Sequence, residues 1–314
     1  WHCIIMNDNR LETLYNNLNQ SIRNDCNEPI TVAFSGGIDS TLVAFIANKY
    51  CDVELIAVGV TGSHDLDAAK SAAKLIGMRL KIIEINETEM VDKGLEMQKK
   101  VDLSGIEVEF MLPFWIAAKN TTNSVLMCGQ GADELFGGYA RFRKENAKKD
   151  LSREVKDLIE RIPEREEKIT KAFNLKLSCP YLNKEVIRAA ENFDIDERIG
   201  EVGKVVLREV AKEFGLPEEI ANRKKKAAQY GSGSQRAIKK IVKHRIEFLM
   251  DFESEEIARA IVKATGPENS GWVETTIMKN QIKATVKARN LGSLREAAED
   301  FMACVSVAEK VIKD

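Results

Sequence analysis

Leu11, Leu14, Leu18 and Ile22 recur at helical spacing with polar residues between them, which predicts an amphipathic helix over residues 11–22. The pattern then changes. Pro29-Ile-Thr-Val-Ala-Phe34 is a short, β-branched apolar run and predicts a buried strand, ending at Ser35-Gly-Gly. An apolar helix follows over Ser40–Ala47. Strands are expected over Glu54–Val60, Arg79–Ile85 and Ser124–Cys128, with an Ala- and Lys-rich helix over Leu66–Ile76. Continuous apolar strands alternating with helices predict a parallel sheet covered on both faces.

From Glu145 to about Lys240 the chain reads as helical and highly charged, broken at Pro163, Cys179-Pro180, Gly215-Leu-Pro217 and Gly231–Ser234. A different rhythm starts beyond Lys243. Arg245–Phe252 reads as a strand, Ser254–Thr265 as a capped helix, and Gly271–Ile277 with Gln281–Ala288 as a hairpin turning near Lys279-Asn280. Leu291–Ile312 closes the chain as an amphipathic helix, with one stripe through Leu291, Leu294, Ala298, Phe301, Val305, Ala308 and Ile312. Two domains are therefore expected: an α/β domain over 1–243 with a helical C-terminal half, and a small α+β domain (β-α-β-β-α) over 244–314.

Composition narrows the function classes. With 44% hydrophobic and 31% charged residues, the 314-residue chain has the balance of a globular enzyme. A net charge of −2 provides no global positive field for nucleic acid. No signal peptide is read at the start, no apolar run is long enough to span a membrane, and a cytoplasmic location is expected. The six cysteines are scattered singly and there are three histidines, so structural zinc is not expected and the thiols are read as reduced.

Ser35-Gly-Gly-Ile-Asp-Ser40 carries the most chemistry. It joins a buried strand to a helix, so its glycines permit close backbone approach and the helix start offers free N–H groups to an anion. Ser35 and Ser40 add hydroxyl donors. Asp39 is the wrong charge for a bare phosphate unless a cation intervenes, which points to Mg²⁺. Gly-Gly alone would equally suit an ordinary strand-to-helix turn, and the loop lacks the lysine spacing of a Walker motif.

The hexapeptide in this context resembles the PP-loop of the ATP pyrophosphatases, whose fold is the adenine nucleotide alpha hydrolase-like α/β type. Four further stretches resemble the asparagine synthetase branch. Cys128-Gly-Gln-Gly-Ala-Asp-Glu-Leu-Phe-Gly-Gly-Tyr139 is similar to S-G-E-G-x-D-E-L-F-G-G-Y, and Asn174–Asn183 to G-L-E-x-R-x-P-F-L-D. Gly203-Lys-Val-Val-Leu-Arg-Glu209 is similar to G-K-x-x-L-R-E, while Arg223-Lys-Lys225 with Gly231 and Gly233 resembles R-x-K-x-x-x-x-x-G-x-G.

This resemblance implies cleavage of ATP to AMP and pyrophosphate, with adenylation of a carboxylate or amide oxygen that ammonia or another amine then attacks. Ser35, Gly36, Gly37, Asp39, Ser40, Val58, Gly59 and Gly129 would hold the nucleotide. Asp39 and Asp133 would share Mg²⁺. Lys225 would stabilise the departing pyrophosphate, although a solvated surface lysine is the plain alternative. Glu134 would orient substrate or take part in a structural ion pair. Gln130 stands where the family has a catalytic Glu, and an amide cannot act as a base. Ser178 and Asn183 replace the family's arginine and acid. With about 30 residues before the first strand, no glutaminase domain is expected.

The tail resembles the small dimerising subunit of the KEOPS complex, which makes threonylcarbamoyladenosine in tRNA, through Phe252–Ala258, Gly266–Asn269 and Leu291–Glu296. That implies homodimerisation and contact with tRNA or KEOPS-type proteins. A tRNA-modifying enzyme and a non-catalytic scaffold are the rival readings.

Overall fold

The computed structural model describes residues 9–103, 105–138, 148–200, 203–223, 244–269, 273–288 and 291–313, which fall into two compact units, Trp1–Ala237 and Ile238–Asp314.

In the first unit a five-stranded parallel sheet has the order β3-β2-β1-β4-β5. Its strands are β1 (Ile30–Ala33), β2 (Val53–Val60), β3 (Leu80–Ile85), β4 (Val125–Met127) and β5 (Lys176–Ser178). Register follows from pairs such as Val32 with Leu55 and with Met127. Helix α1 (Asn9–Asp25) buries Leu14, Leu18 and Ile22, each contributing roughly 1.5–3 kcal/mol by leaving water. Helices α2 (Ile38–Ala47) and α3 (His64–Leu75) follow β1 and β2. Because order reverses between β1 and β4, the loops after these two strands open into one crevice at the carboxyl edge of the sheet.

Helices α4 (Glu87–Lys100) and α5 (Gly105–Asn120) add to the sequence reading. Residues Phe114 to Ala118 of α5 are all buried, so its apolar pattern has no period for an amphipathicity argument to find. Two expectations for 145–240 are corrected. Helix α6 (Ala132–Phe136) is followed by α7 (Lys148–Lys171), which runs through Pro163 instead of stopping there. Its proline removes a single N–H donor, and packing against α5 and β5 holds the two halves together. The same stretch also contains a strand, β5, completing the sheet beside β4. Short helices α8 (Lys184–Glu191), α9 (Ile195–Ile199), α10 (Val205–Glu213) and α11 (Glu218–Ala221) follow.

In the second unit β6 (His244–Asp251), β7 (Val273–Met278) and β8 (Gln281–Ala288) form an antiparallel sheet in the order β6-β8-β7. Helices α12 (Glu255–Asn269) and α13 (Leu291–Lys313) cover one face. Leu294, Phe301, Val305 and Ala308 of the expected stripe are buried there, against Ile282, Ala284 and Val286, and Ala298 of the same stripe is buried too. Among the described residues no helix is long and apolar enough to cross a membrane.

Candidate active site at the carboxyl edge of the sheet

The turn after β1 is held from within. Ser35 N donates to Ser40 Oγ at 3.2 Å, the two serine hydroxyls lie 3.3 Å apart, and Thr41 Oγ1 donates to the Gly37 carbonyl at 2.7 Å. Gly37 caps α2 without a side-chain hydrogen bond, which leaves the first-turn amides without a side-chain cap. Gly36 has φ +71°, and a Cβ there would lie 2.5 Å from the Ala68 backbone of α3. Only glycine satisfies both the turn and that approach.

The loop after β4 reaches the same place. A Cβ on Gly129 would come within 2.9 Å of Ser40 N and Asp39 Cβ, so the chain's close approach at Gly129 is to the start of α2. Asp133, at the start of α6, is thereby brought opposite Asp39. Between the carboxylates sits Lys204, whose Nζ is 2.5 Å from both Asp39 oxygens and 2.6 Å from Asp133 Oδ1. Lys204 is 2% exposed, whereas Asp39 and Asp133 are 14% and 15% exposed. Burial pulls the lysine pKa below its ordinary value, and Asp39 opposes that pull. Backbone geometry aims the side chain: Lys204 adopts φ 59° as the N-cap of α10, and its N–H donates to the Phe136 carbonyl at 3.0 Å.

Neighbouring groups hold this frame. Tyr181, fully buried, donates its hydroxyl to the Asp39 carbonyl at 3.2 Å. Arg223 donates to the carbonyls of Gly36 at 3.2 Å and Ala68 at 2.9 Å. Arg208 donates to the carbonyls of Gly203, Ala221 and Arg223, joining the lysine turn to the Arg223 segment. The sequence reading matched Lys204, Arg208 and Arg223 to motifs without giving them these roles. In the sequence, the place of Lys204 in the Gly203–Glu209 motif was the available signal.

The remaining predicted residues divide. Gln130 is half-buried in the turn before α6, and Glu134 is buried in α6. Val58 and Gly59 are buried at the end of β2, where a Cβ on Gly59 would collide with Ser63 Oγ of the turn into α3. Ser178 donates to Asp25 at 2.6 Å, and Asn183 accepts from Glu185 N at 2.9 Å as the cap of α8. Both substituted positions are therefore used by the fold itself. Lys225, Gly231 and Gly233 lie outside the described residues.

Behind α6, Glu166 of α7 is fully buried. One carboxylate oxygen accepts from Arg165 at 2.5 Å while the other has no partner. Burial pushes its pKa up to about 7 despite Arg165.

The asparagine synthase family model matches residues 13–161 and 145–271. The chain belongs to the asparagine synthase family. That match runs to residue 271, past the start of the second unit at Ile238. A putative glutamine-hydrolyzing asparagine synthetase of Methanocaldococcus jannaschii is 33% identical over 264 residues, covering 69% of this chain and 48% of the relative. Asparagine synthetase 3 of Arabidopsis thaliana is 27% identical over 232 residues, covering 65% of this chain and 40% of the relative. The chain thus spans about half the length of these curated relatives, or less. The structure of NMN synthetase from Francisella tularensis is 14% identical with a TM-score of 0.39, covering 71% of this chain and 76% of that one.

Proposed function

We propose that this member of the asparagine synthase family is an ATP pyrophosphatase that adenylates a carboxylate or amide oxygen and passes the activated group to ammonia or an amine. The observation that carries the reading is the pair Asp39 and Asp133 closed on one cationic point, beside a serine- and glycine-rich helix start. Two acids about a buried positive charge are a costly arrangement in a fold that needs only stability. They suit a site in which phosphates and cations come and go.

The donor set fits Mg²⁺, which commonly takes one or two carboxylates and completes its shell with substrate phosphates. The Lys204 ammonium now lies between Asp39 and Asp133, where the metal's charge would be needed. Bound there, the metal would supply charge neutralisation on the leaving pyrophosphate. Ser35, Ser40 and the first-turn amides of α2 would hold phosphate oxygens, and Lys204 would turn from the acids toward the nucleotide. Lys225 would add a second positive charge, with Arg223 fixing the start of its segment to the phosphate loop. The Gln130 amide has no acid or base group to offer, so it would orient the acceptor by hydrogen bonding.

Pyrophosphate release tests this. The full chain, ATP, Mg²⁺ and a panel of acids and amides with ammonia should release pyrophosphate, and Asp39→Asn or Asp133→Asn should abolish release while leaving folding intact. Full activity in either variant defeats the assignment. Gln130→Glu should change the ammonia-dependent rate more than ATP affinity.

For the second unit the proposal is homodimerisation, carried by the resemblance of its tail and by exposed Met302, Val307 and Val311 on α13. Val311→Asp in the full chain should convert a dimer to a monomer on sedimentation, and a monomeric parent defeats the idea. The tRNA reading is less supported. Lys283, Lys287 and Arg295 are paired with Glu247, Glu274 and Glu299, and Arg289 lies outside the described residues.

A further inference from the structure

Cys128 and Cys179 are 51 positions apart in sequence, yet their Sγ atoms lie 3.5 Å apart. They immediately follow β4 and β5. Met127 is in register with Ser178, and Cys128 N donates to the Ser178 carbonyl at 3.0 Å, so the two cysteines face each other across neighbouring strand ends. Adjacent strands are about 4.8 Å apart, inside the ~4.4–6.8 Å Cα separation that a disulfide spans. Closing the bond draws the sulfurs together to about 2.05 Å.

Both cysteines begin segments that support the phosphate loop. Cys128 precedes Gly129, packed against Asp39 and Ser40. Cys179 caps the turn Pro180–Leu182, from which Tyr181 bonds the Asp39 carbonyl and Leu182 packs on Gly131. Cys128 is buried and Cys179 half-buried, so an oxidant meets Cys179 first.

We infer that Cys128 and Cys179 are a modification site, a reversible disulfide that repositions the floor of the phosphate loop and weakens ATP binding. The oxidant is a small-molecule disulfide. Cys179 loses its proton to water and its thiolate attacks one sulfur of the oxidant, giving a mixed disulfide and a released thiolate. Cys128, deprotonated in turn, attacks Cys179 Sγ and expels the second thiolate. One S–S bond forms and one breaks; two protein thiols are oxidised, and the oxidant is reduced to two thiols. The hydrogen bond with Cys128, burial and nearby Glu166 hold the Cys179 thiol well above the usual range, against Arg165. Exchange is therefore slow at neutral pH and faster as pH rises.

A second pair serves as an internal control. Cys26 and Cys51 also neighbour one another but precede β1 and β2, at the opposite edge of the sheet. In the full chain carrying Cys26→Ser and Cys51→Ser, treatment with oxidised glutathione should yield a Cys128–Cys179 cross-link on non-reducing peptide mapping, reversed by dithiothreitol. ATP affinity, measured by calorimetry, should fall at least about tenfold on cross-linking. Cys179→Ser should abolish both effects, as should Cys128→Ser, which restores the serine of the family signature. Absence of the cross-link, or glutathione adducts alone, overturns the inference, as does unchanged ATP affinity in the cross-linked chain. The affinity effect rests on the proposed ATP site; the cross-link does not. Should the reduced chain bind no ATP, the proposed function fails instead. Hydrogen exchange over residues 35–40 then decides, with equal exchange in both redox forms overturning the inference.

Discussion

The two units handle charge and strand surface in opposite ways. In the first, β2 is buried along nearly its whole length and an ion triad, Asp39-Lys204-Asp133, is set into the carboxyl edge of the sheet. In the second, β6 and β7 alternate between half-buried and exposed positions, and the cross-strand pairs Lys283–Glu247 and Lys287–Glu274 lie on the solvent side. Solvated pairs stabilise by about 0–1 kcal/mol, whereas taking a charge out of water costs several. That contrast in cost is what the proposed function rests on, since the buried triad sits at the carboxyl edge where the loops after β1 and β4 meet.

Breaking the buried triad should give the largest effect. Lys204→Ala leaves two acids facing each other without a cation and should cost about 3–5 kcal/mol in urea unfolding, the range for removing one partner of a buried pair. A loss no greater than that of a surface lysine would show that water already screens the site. Next comes Lys225→Ala, expected to slow pyrophosphate release by about two to three orders of magnitude with stability unchanged. Lys224→Ala and Lys226→Ala should do little, and equal losses at all three would indicate a diffuse basic patch.

Glu166 gives a pH-dependent effect of intermediate size. Its pKa rises from 4.5 to about 7 in the folded chain. A raised carboxyl pKa adds stability that is complete below the unfolded value and lost as pH climbs through the folded one. Between about pH 4.5 and 7 the parent should lose on the order of 3 kcal/mol relative to Glu166→Gln. Parallel pH–stability curves for the two proteins would contradict this. Smallest of all, Lys283→Ala in the second unit should shift stability by less than about 1 kcal/mol and fade with added salt.

Local pattern was informative where one period dominates. The second unit was readable almost element by element, since one covered sheet face imposes alternation and one covered helix face imposes a 3.6-residue stripe. In the first unit, β1, β2 and the turn between β1 and α2 were readable as well. Helix α5 was not, because burial on all sides erases periodicity, and β5 was not, because its Lys176–Ser178 core is short and half exposed. Pro163 misled for a related reason: a proline removes one hydrogen bond, and packing along a 24-residue helix outweighs it.

What the sequence alone determined is the inventory of chemistry: a phosphate-type loop, two acids in recognisable motifs, the strand-helix alternation that puts loops at one sheet edge, and the substitution at Gln130. Tertiary structure decided who meets whom. Lys204 lies 165 positions from Asp39, Arg223 lies 187 from Gly36, and Cys179 lies 51 from Cys128. No local period encodes such distances. They follow from the strand order β3-β2-β1-β4-β5, which brings the loops after β1, β4 and β5 to a common edge, and from the turn at Lys204 that points an ammonium between two carboxylates. Side-chain pairing across a sheet edge is settled only when the backbone closes, because each contact requires all the intervening segments to be packed first.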